Sequence, residues 1–322
     1  MLATSYDRDA LANSLIASVV RNYISIAFDR RQFAATKRIV DSRATSLAIT
    51  QDRFGLGIEG TTAGTVTSAE ENLAAARADL PDLELSILRN TNALDLLLGR
   101  VPNSRSDIAG RLPARLPDMA FSTGGPVDLL QRRPDIRAAE ARLASANANI
   151  KVSLAERFPT LTLNGSLRSG GADLGQILDI DNVIASLTAD LLLTVFDGGR
   201  GSRLVSLRRA EAEELAQSYV ATVLAAVAEV EDALAGERLL AERSRLLAAR
   251  LSSALEATAI ARERYRDGTG TYFTLLDASR SEASAETALL NVERSRWLNR
   301  VDLMLALGGT WAPREAAREE SS

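Results

Sequence analysis

The chain has 322 residues, with 38 Lys+Arg against 42 Asp+Glu and a formal net charge of −4. That balance excludes a phosphate-driven nucleic-acid binder. His and Cys are both absent, which excludes disulfides, thiolate or imidazole metal sites, and Ser-His or Cys-His catalysis. Only carboxylates, Lys, Tyr or a bound cofactor could then do chemistry, and no acid–base constellation converges in the sequence, so an enzyme is not expected; no metal or cofactor is expected either. Aromatic residues make up only 4%, which points to helices packed on Ala and Leu rather than to a sheet-based core. No run of 18 apolar residues occurs, and the start MLATSYDRDA has neither a basic nor an apolar leader segment. Neither a transmembrane helix nor a secretion signal is therefore expected within this chain.

The first predicted helix covers 9–56, with an apolar stripe through Leu15, Val19, Tyr23 and Ile26. A glycine-marked turn, RFGLGIEGTTAGT (53–65), leads into a shorter helix, 66–98. Four of the eight prolines then fall in 102–126, which reads as a connector. The segment Arg132-Arg133-Pro134-Asp135 reads as a helix start, with proline and an acid in the first turn. Two dyad segments follow. In 160–168, Leu161, Leu163 and Leu167 alternate with Thr160, Thr162, Asn164, Ser166 and Arg168. In 187–196, Leu187, Ala189, Leu191, Leu193 and Val195 alternate with Thr188, Asp190, Leu192, Thr194 and Phe196. Such alternation over about ten residues fits a membrane strand, and equally a soluble hairpin with one wet face. The loop between them, 169–182, is polar, and FDGGRG (196–201) releases the chain into the longest pattern.

That pattern, 201–266, would make a helix about 100 Å long. Its stripe runs Val220, Val223, Leu224, Val227, Val230, Leu234, Leu239, Leu246, Leu247, Leu251 and Leu255. A period sustained this far means coiled coil or extended bundle. A second turn, RYRDGTGTYF (264–273), leads into a helix at about 272–307. The two hairpins align: Arg53-Phe54 with Arg264-Tyr265 and Gly57 with Gly268, 211 residues on. Beyond the turn the spacing becomes 209, pairing Ala69 with Ala278, Asn90 with Asn299, Leu94 with Leu303, Leu98 with Leu307 and Gly99 with Gly308. Constant spacing on both sides of a turn signals internal duplication.

An ordered set of segments then carries a resemblance. It comprises LLQRRPDIRAAEARLASANANI (129–150), FPTLTLNGS (158–166), TVFDGGR (194–200), EVEDAL (229–234), RYRDGTGTYFTLLDASR (264–280) and LALGGTW (305–311). Together they resemble TolC-like outer-membrane efflux proteins, especially the NodT-type lipoprotein branch. The resemblance implies a mainly α fold with a small β part. Long antiparallel helical hairpins would form an α-barrel, and two strands would join a trimeric outer-membrane β-barrel. It implies the divisions 1–99 (first repeat), 100–133 (connector), 134–312 (second repeat, with strands about 158–170 and 185–196) and 313–322 (tail). It also implies an outer-membrane location with a periplasmic extension and a gated, passive exit duct for small molecules. The implied partners are two further copies in a homotrimer, a periplasmic adaptor (membrane fusion) protein, an inner-membrane pump and outer-membrane lipid.

Set against the family pattern, the first repeat is expected to lack its strand pair and preceding helix, along with a signal peptide and lipid-anchor cysteine. A chain so shortened is expected not to form the pore. By position in the motif, Asp277 matches an acidic gate residue, Phe273 an apolar constriction residue, and Arg264 a basic residue holding the tip closed. Threefold symmetry would make each a ring, and like charges in such a ring favour cations. Thr274 stands where some relatives carry a second acid, so one acidic ring is expected. Gly57-Ile58 and Gly268-Thr269 match tip positions that contact the adaptor. Glu229, Glu231 and Asp232 read as solvated or paired faces. The alternative readings are a soluble or periplasmic coiled-coil scaffold, for which two membrane-length dyads would have no use, and a non-functional fragment of the channel.

Overall fold

The computed structural model describes residues 1–102, 112, 113, 116, 132–169 and 183–309. The expected loop at 170–182, most of the connector and the tail beyond 309 lie outside the described residues. In chain order the elements are α1 (Leu2–Gly55), α2 (Ala63–Leu97), α3 (Pro134–Ala155), β1 (Thr160–Ser169), β2 (Val183–Leu192), α4 (Arg200–Arg266) and α5 (Tyr272–Ala306). They fall into two compact units, Met1–Tyr6 with Asp135–Leu224, and Asp7–Pro134 with Ala225–Ser322.

The first unit carries the strands. Pro134 opens α3 and Asp135 sits in its first turn, where a missing N–H costs nothing and a carboxylate meets the positive helix end. β1 and β2 pair antiparallel from Thr160↔Leu192 to Ser169↔Val183. One face carries Leu161, Leu163, Gly165, Leu167, Ser169, Val183, Ala185, Leu187, Ala189 and Leu191. The other carries Thr160, Thr162, Asn164, Ser166, Arg168, Ile184, Ser186, Thr188, Asp190 and Leu192. β2 starts earlier and ends four residues sooner than its pattern suggests. The cause is the residue facing its end: the ladder stops at Thr160, and Pro159 has no N–H to extend it. Leu193–Phe196 therefore leave the sheet. The turn that follows is closed by Asp197, whose carboxylate accepts from the backbone N–H groups of Gly199 (2.8 Å) and Gly201 (2.7 Å) at the start of α4. The Gly201 and Gly199 bonds hold its carboxyl below the ordinary carboxylate range.

The second unit is a bundle of α1, α2, α5 and the later part of α4. Its buried seam on α4 is made of small residues, Ala226, Val230, Ala233, Ala254, Thr258 and Ala261. The expected leucine stripe is corrected here: Leu239, Leu246 and Leu255 are exposed. Small side chains let helix axes approach, so alanines take the seam, Leu234 packs beside Val230 and Ala306, and Leu239, Leu246 and Leu255 are left outside. On α1 likewise Leu15 is exposed while Ala17, Ile24, Ile26, Ala27 and Phe28 are buried, because helices lie on more than one side of it. This stretch belongs to a helix long and apolar enough to cross a membrane by length and composition, which the sequence reading had not anticipated. Within it Ala17, Ile24 and Phe28 pack with Val301 and Trp297 of α5. Pro81 lies inside α2 rather than dividing the chain. It is exposed, so the carbonyl it leaves without a helix partner can bond water.

Polar bonds fix the helices against one another. Buried Asp29 of α1 accepts from Ser86 (2.9 Å) and Asn90 (2.6 Å) of α2 and from Arg294 (3.2 Å) of α5. Glu237 of α4 accepts from Asn299 (3.2 Å) and from Arg300 through two nitrogens (3.0 and 2.5 Å). Arg133 is buried, pairs with Glu229 at 2.6 Å and donates to the Ala306 carbonyl at 3.2 Å. Glu229 is thus a paired acid, and Arg133 is fixed to the end of α5.

Candidate functional site

The site lies where the helical hairpins turn. α1 and α4 end identically. At the first turn Ile58 N–H donates to the Arg53 carbonyl (3.0 Å) and Gly57 N–H to that of Phe54 (3.0 Å). At the second, Thr269 N–H donates to Arg264 (2.9 Å) and Gly268 N–H to Tyr265 (3.3 Å). This is a Schellman cap, and it needs a left-handed residue at the glycine. Gly57 and Gly268 sit at φ 67° and 83°. The next helices open alike as well, with Thr62 accepting from Thr65 N–H and Thr271 from Thr274 N–H. The shift from 211 to 209 residues therefore falls inside the loop, as two extra residues between Ile58 and Thr62. Gly99 and Gly308, at the far ends of α2 and α5, are also left-handed.

The two turns differ in what they bury. Arg53 is 6% exposed and Tyr265 2%, whereas Phe54 is 48% exposed and Arg264 lies on the surface. The Arg53 guanidinium sits 4.7 Å from the Tyr265 ring centroid and donates to the Tyr265 carbonyl. Its Nε donates to Thr61 at 3.3 Å. The Tyr265 hydroxyl shares a 2.9 Å bond with Thr50. Tyr272 lies edge-on to Tyr265, and Ala69, Ala261 and Leu275 complete a small core. Of the two aligned arginines, Arg53 is thus the buried one and Arg264 the exposed one.

Phe273 is 63% exposed and touches Tyr272 edge-on at 5.9 Å between centroids. Asp277, one helical turn further on, is exposed. The two share a face of α5. Arg264 and Asp277 are not brought together in an ion pair within the chain. Behind this face Arg280 donates to Asn72 Oδ1 and Arg43 to the Asn72 carbonyl, both at 2.7 Å. Burial, then the nearby Arg280, lowers the Arg43 pKa. Burial raises that of the Tyr272 hydroxyl, against the bond it makes to Asn72. Among the described residues no group of three or more acidic side chains is placed to hold a metal. The arrangement offers shaped, charged surface and no reactive constellation.

The family model for outer membrane efflux proteins matches residues 1–100 and 125–309. The chain is 33% identical over 319 residues to outer membrane protein OprJ of Pseudomonas aeruginosa, covering 96% of itself and 64% of OprJ. It is 32% identical to the pyoverdine export outer membrane protein OpmQ of Pseudomonas putida, at 96% and 65% coverage. The chain thus spans about two thirds or slightly less of these relatives' length. The structure of the outer-membrane channel OprN superposes with a TM-score of 0.86 at 30% identity, covering 97% of this chain and 70% of that one. Its fold is that of the TolC-like channels, and the relatives' location is the outer membrane. By the extent of the family match and by its similarity to OprJ, this chain belongs to the outer membrane efflux protein family.

Proposed function

We propose that the chain is a subunit of an outer-membrane exit duct for small molecules. It would work as a homotrimer with a periplasmic adaptor and an inner-membrane pump that supplies the energy. The observation that carries this reading is the β1–β2 ribbon. Ten residues long, it is apolar on one face up to Ser169 at its end and mainly polar on the other, as suits a strand pair between lipid and an aqueous lumen. Phe158 and Phe196, both largely exposed, flank the end of the ribbon where Thr160 pairs with Leu192. Aromatic side chains at that level suit a membrane interface.

In this reading the helices of the two repeats, 1–99 and 134–312, form the periplasmic wall. Exposed leucines along α4 supply contact area for neighbouring copies. Phe273 and Asp277, on one exposed face of α5, form the constriction, and surface Arg264 is available to pair across subunits. Gly57-Ile58 and Gly268-Thr269 present backbone at the tips for adaptor helices. The chain's part is passage rather than catalysis.

The test is fractionation of the native protein followed by planar-bilayer recording of a full-length version that carries a complete first repeat. Recovery in the outer membrane with discrete conductance steps supports the duct; purely cytosolic recovery favours the scaffold reading and overturns it. In that full-length version, Asp277→Asn and Arg264→Ala are expected to change the conductance with little effect on stability, since both residues are exposed. Unchanged conductance in both removes them from the gate.

A further inference from the structure

The register of the ribbon places two full charges on its polar face, at opposite ends. Asp190 lies opposite Thr162, near the end flanked by Phe158 and Phe196. Arg168 lies opposite Ile184, six residues further along β1, about 20 Å away at strand rise. The side chains between them, Asn164, Ser166, Ser186 and Thr188, are neutral. Asp190 has one side-chain neighbour, the Asn164 amide at 3.5 Å, and Ser166 bonds Ser186 at 2.9 Å. Both charges are exposed. Among the described residues of the ribbon, no countercharge lies opposite either.

We infer that Asp190 and Arg168 divide the lumen of the barrel into two electrostatic zones: a cation-favouring ring at the helix-proximal end and an anion-favouring ring at the far end. The inference rests on the duct reading above. In a symmetric assembly each residue repeats at one depth, so the field of each ring adds around the axis. A zwitterionic or weakly charged solute meets both signs in sequence and is held strongly by neither. A solute of high single charge meets one repulsive ring. The ribbon therefore selects against strongly charged cargo independently of the periplasmic tip. The zones are local, because the 20 Å between the charges exceeds the Debye length of about 10 Å at 0.1 M salt.

These 322 residues hold no cysteine, so a single cysteine placed on the ribbon can be labelled selectively in the native outer membrane. Thr162→Cys reports on Asp190 and Ile184→Cys on Arg168, while Leu163→Cys and Leu187→Cys report on the apolar face. Water-soluble thiosulfonates of either charge should label 162 and 184 and spare 163 and 187. At low salt the cationic reagent should outpace the anionic one at 162 by about tenfold, the difference expected for a unit charge directly across a strand pair. The order should invert at 184. Asp190→Asn and Arg168→Gln should each bring their own ratio near one and leave the other unchanged, Asp190→Lys should invert the first, and 1 M salt should abolish both. Equal labelling of the two faces overturns the duct reading together with this inference. Alternating labelling with ratios indifferent to Asp190→Asn and Arg168→Gln overturns the inference alone.

Discussion

The guanidinium of Arg53 lies over the ring of Tyr265 and donates to the same residue's carbonyl, joining the ends of α1 and α4. Tyr265→Phe keeps the ring and loses the bond to Thr50, so it is expected to cost about 1 kcal/mol. Arg53→Ala removes the ring contact and the bonds to Tyr265 and Thr61 together, and should cost more, about 2–3 kcal/mol. Arg53→Lys keeps the charge but loses the planar fork and is expected to fall between them. Denaturant midpoints rank the three; equal values for Arg53→Ala and wild type would show that the stacked pair contributes nothing.

The turn glycines differ in what they tolerate. Gly57→Ala and Gly268→Ala force a side chain into left-handed backbone and should each lower stability by about 1 kcal/mol. Gly55, at the end of α1, has ordinary backbone and open space around an added methyl. Gly55→Ala is expected to be neutral or slightly stabilising. Thermal unfolding of the three single variants separates backbone conformation from simple loss of flexibility.

Asp29 is a buried carboxylate with donors from two other helices. Asp29→Ala leaves Ser86, Asn90 and Arg294 short of an acceptor and is expected to cost about 3 kcal/mol. The double variant Asp29→Leu with Arg294→Leu removes the charge on both sides and should recover part of that loss. Chemical denaturation with the single and double variants measures the coupling; strict additivity would show the cluster is not a unit.

Asp197 gives a pH dependence of defined sign. Bonds from Gly201 and Gly199 hold its folded pKa below the ordinary 3.8. The unfolded chain then binds the proton first as pH falls, so the stabilisation is complete above pH 4 and is lost as pH drops through the lowered value. Amide exchange at the start of α4 should accelerate on acidification in wild type. In Asp197→Asn it should be already faster at neutral pH and flat across the same range.

Much of the architecture was legible in one dimension. The helices, both glycine turns and the two-residue shift in the repeat spacing are local properties. Left-handed glycines and threonine caps act within a few residues of themselves, and the alternation of Leu161, Leu163 and Leu167 with polar neighbours is a period-two property of a strand. The end of β2 was not legible, because it is set across the ladder by Pro159. The seam of α4 was not legible either, because leucine is more apolar than alanine but too large for close axes.

The same division holds at the tip. Sequence alone determined that two equivalent turns exist, each with an Arg-aromatic pair ahead of its glycine. It could not say which arginine is buried, since Arg53-Phe54 and Arg264-Tyr265 have the same local backbone. Tertiary packing decided that. Tyr265 faces α1, where Thr50 meets its hydroxyl and Arg53 its ring, while Phe54 and Arg264 point outward. Local geometry repeats with the sequence, but burial depends on which element stands opposite, and that differs between two copies in one chain.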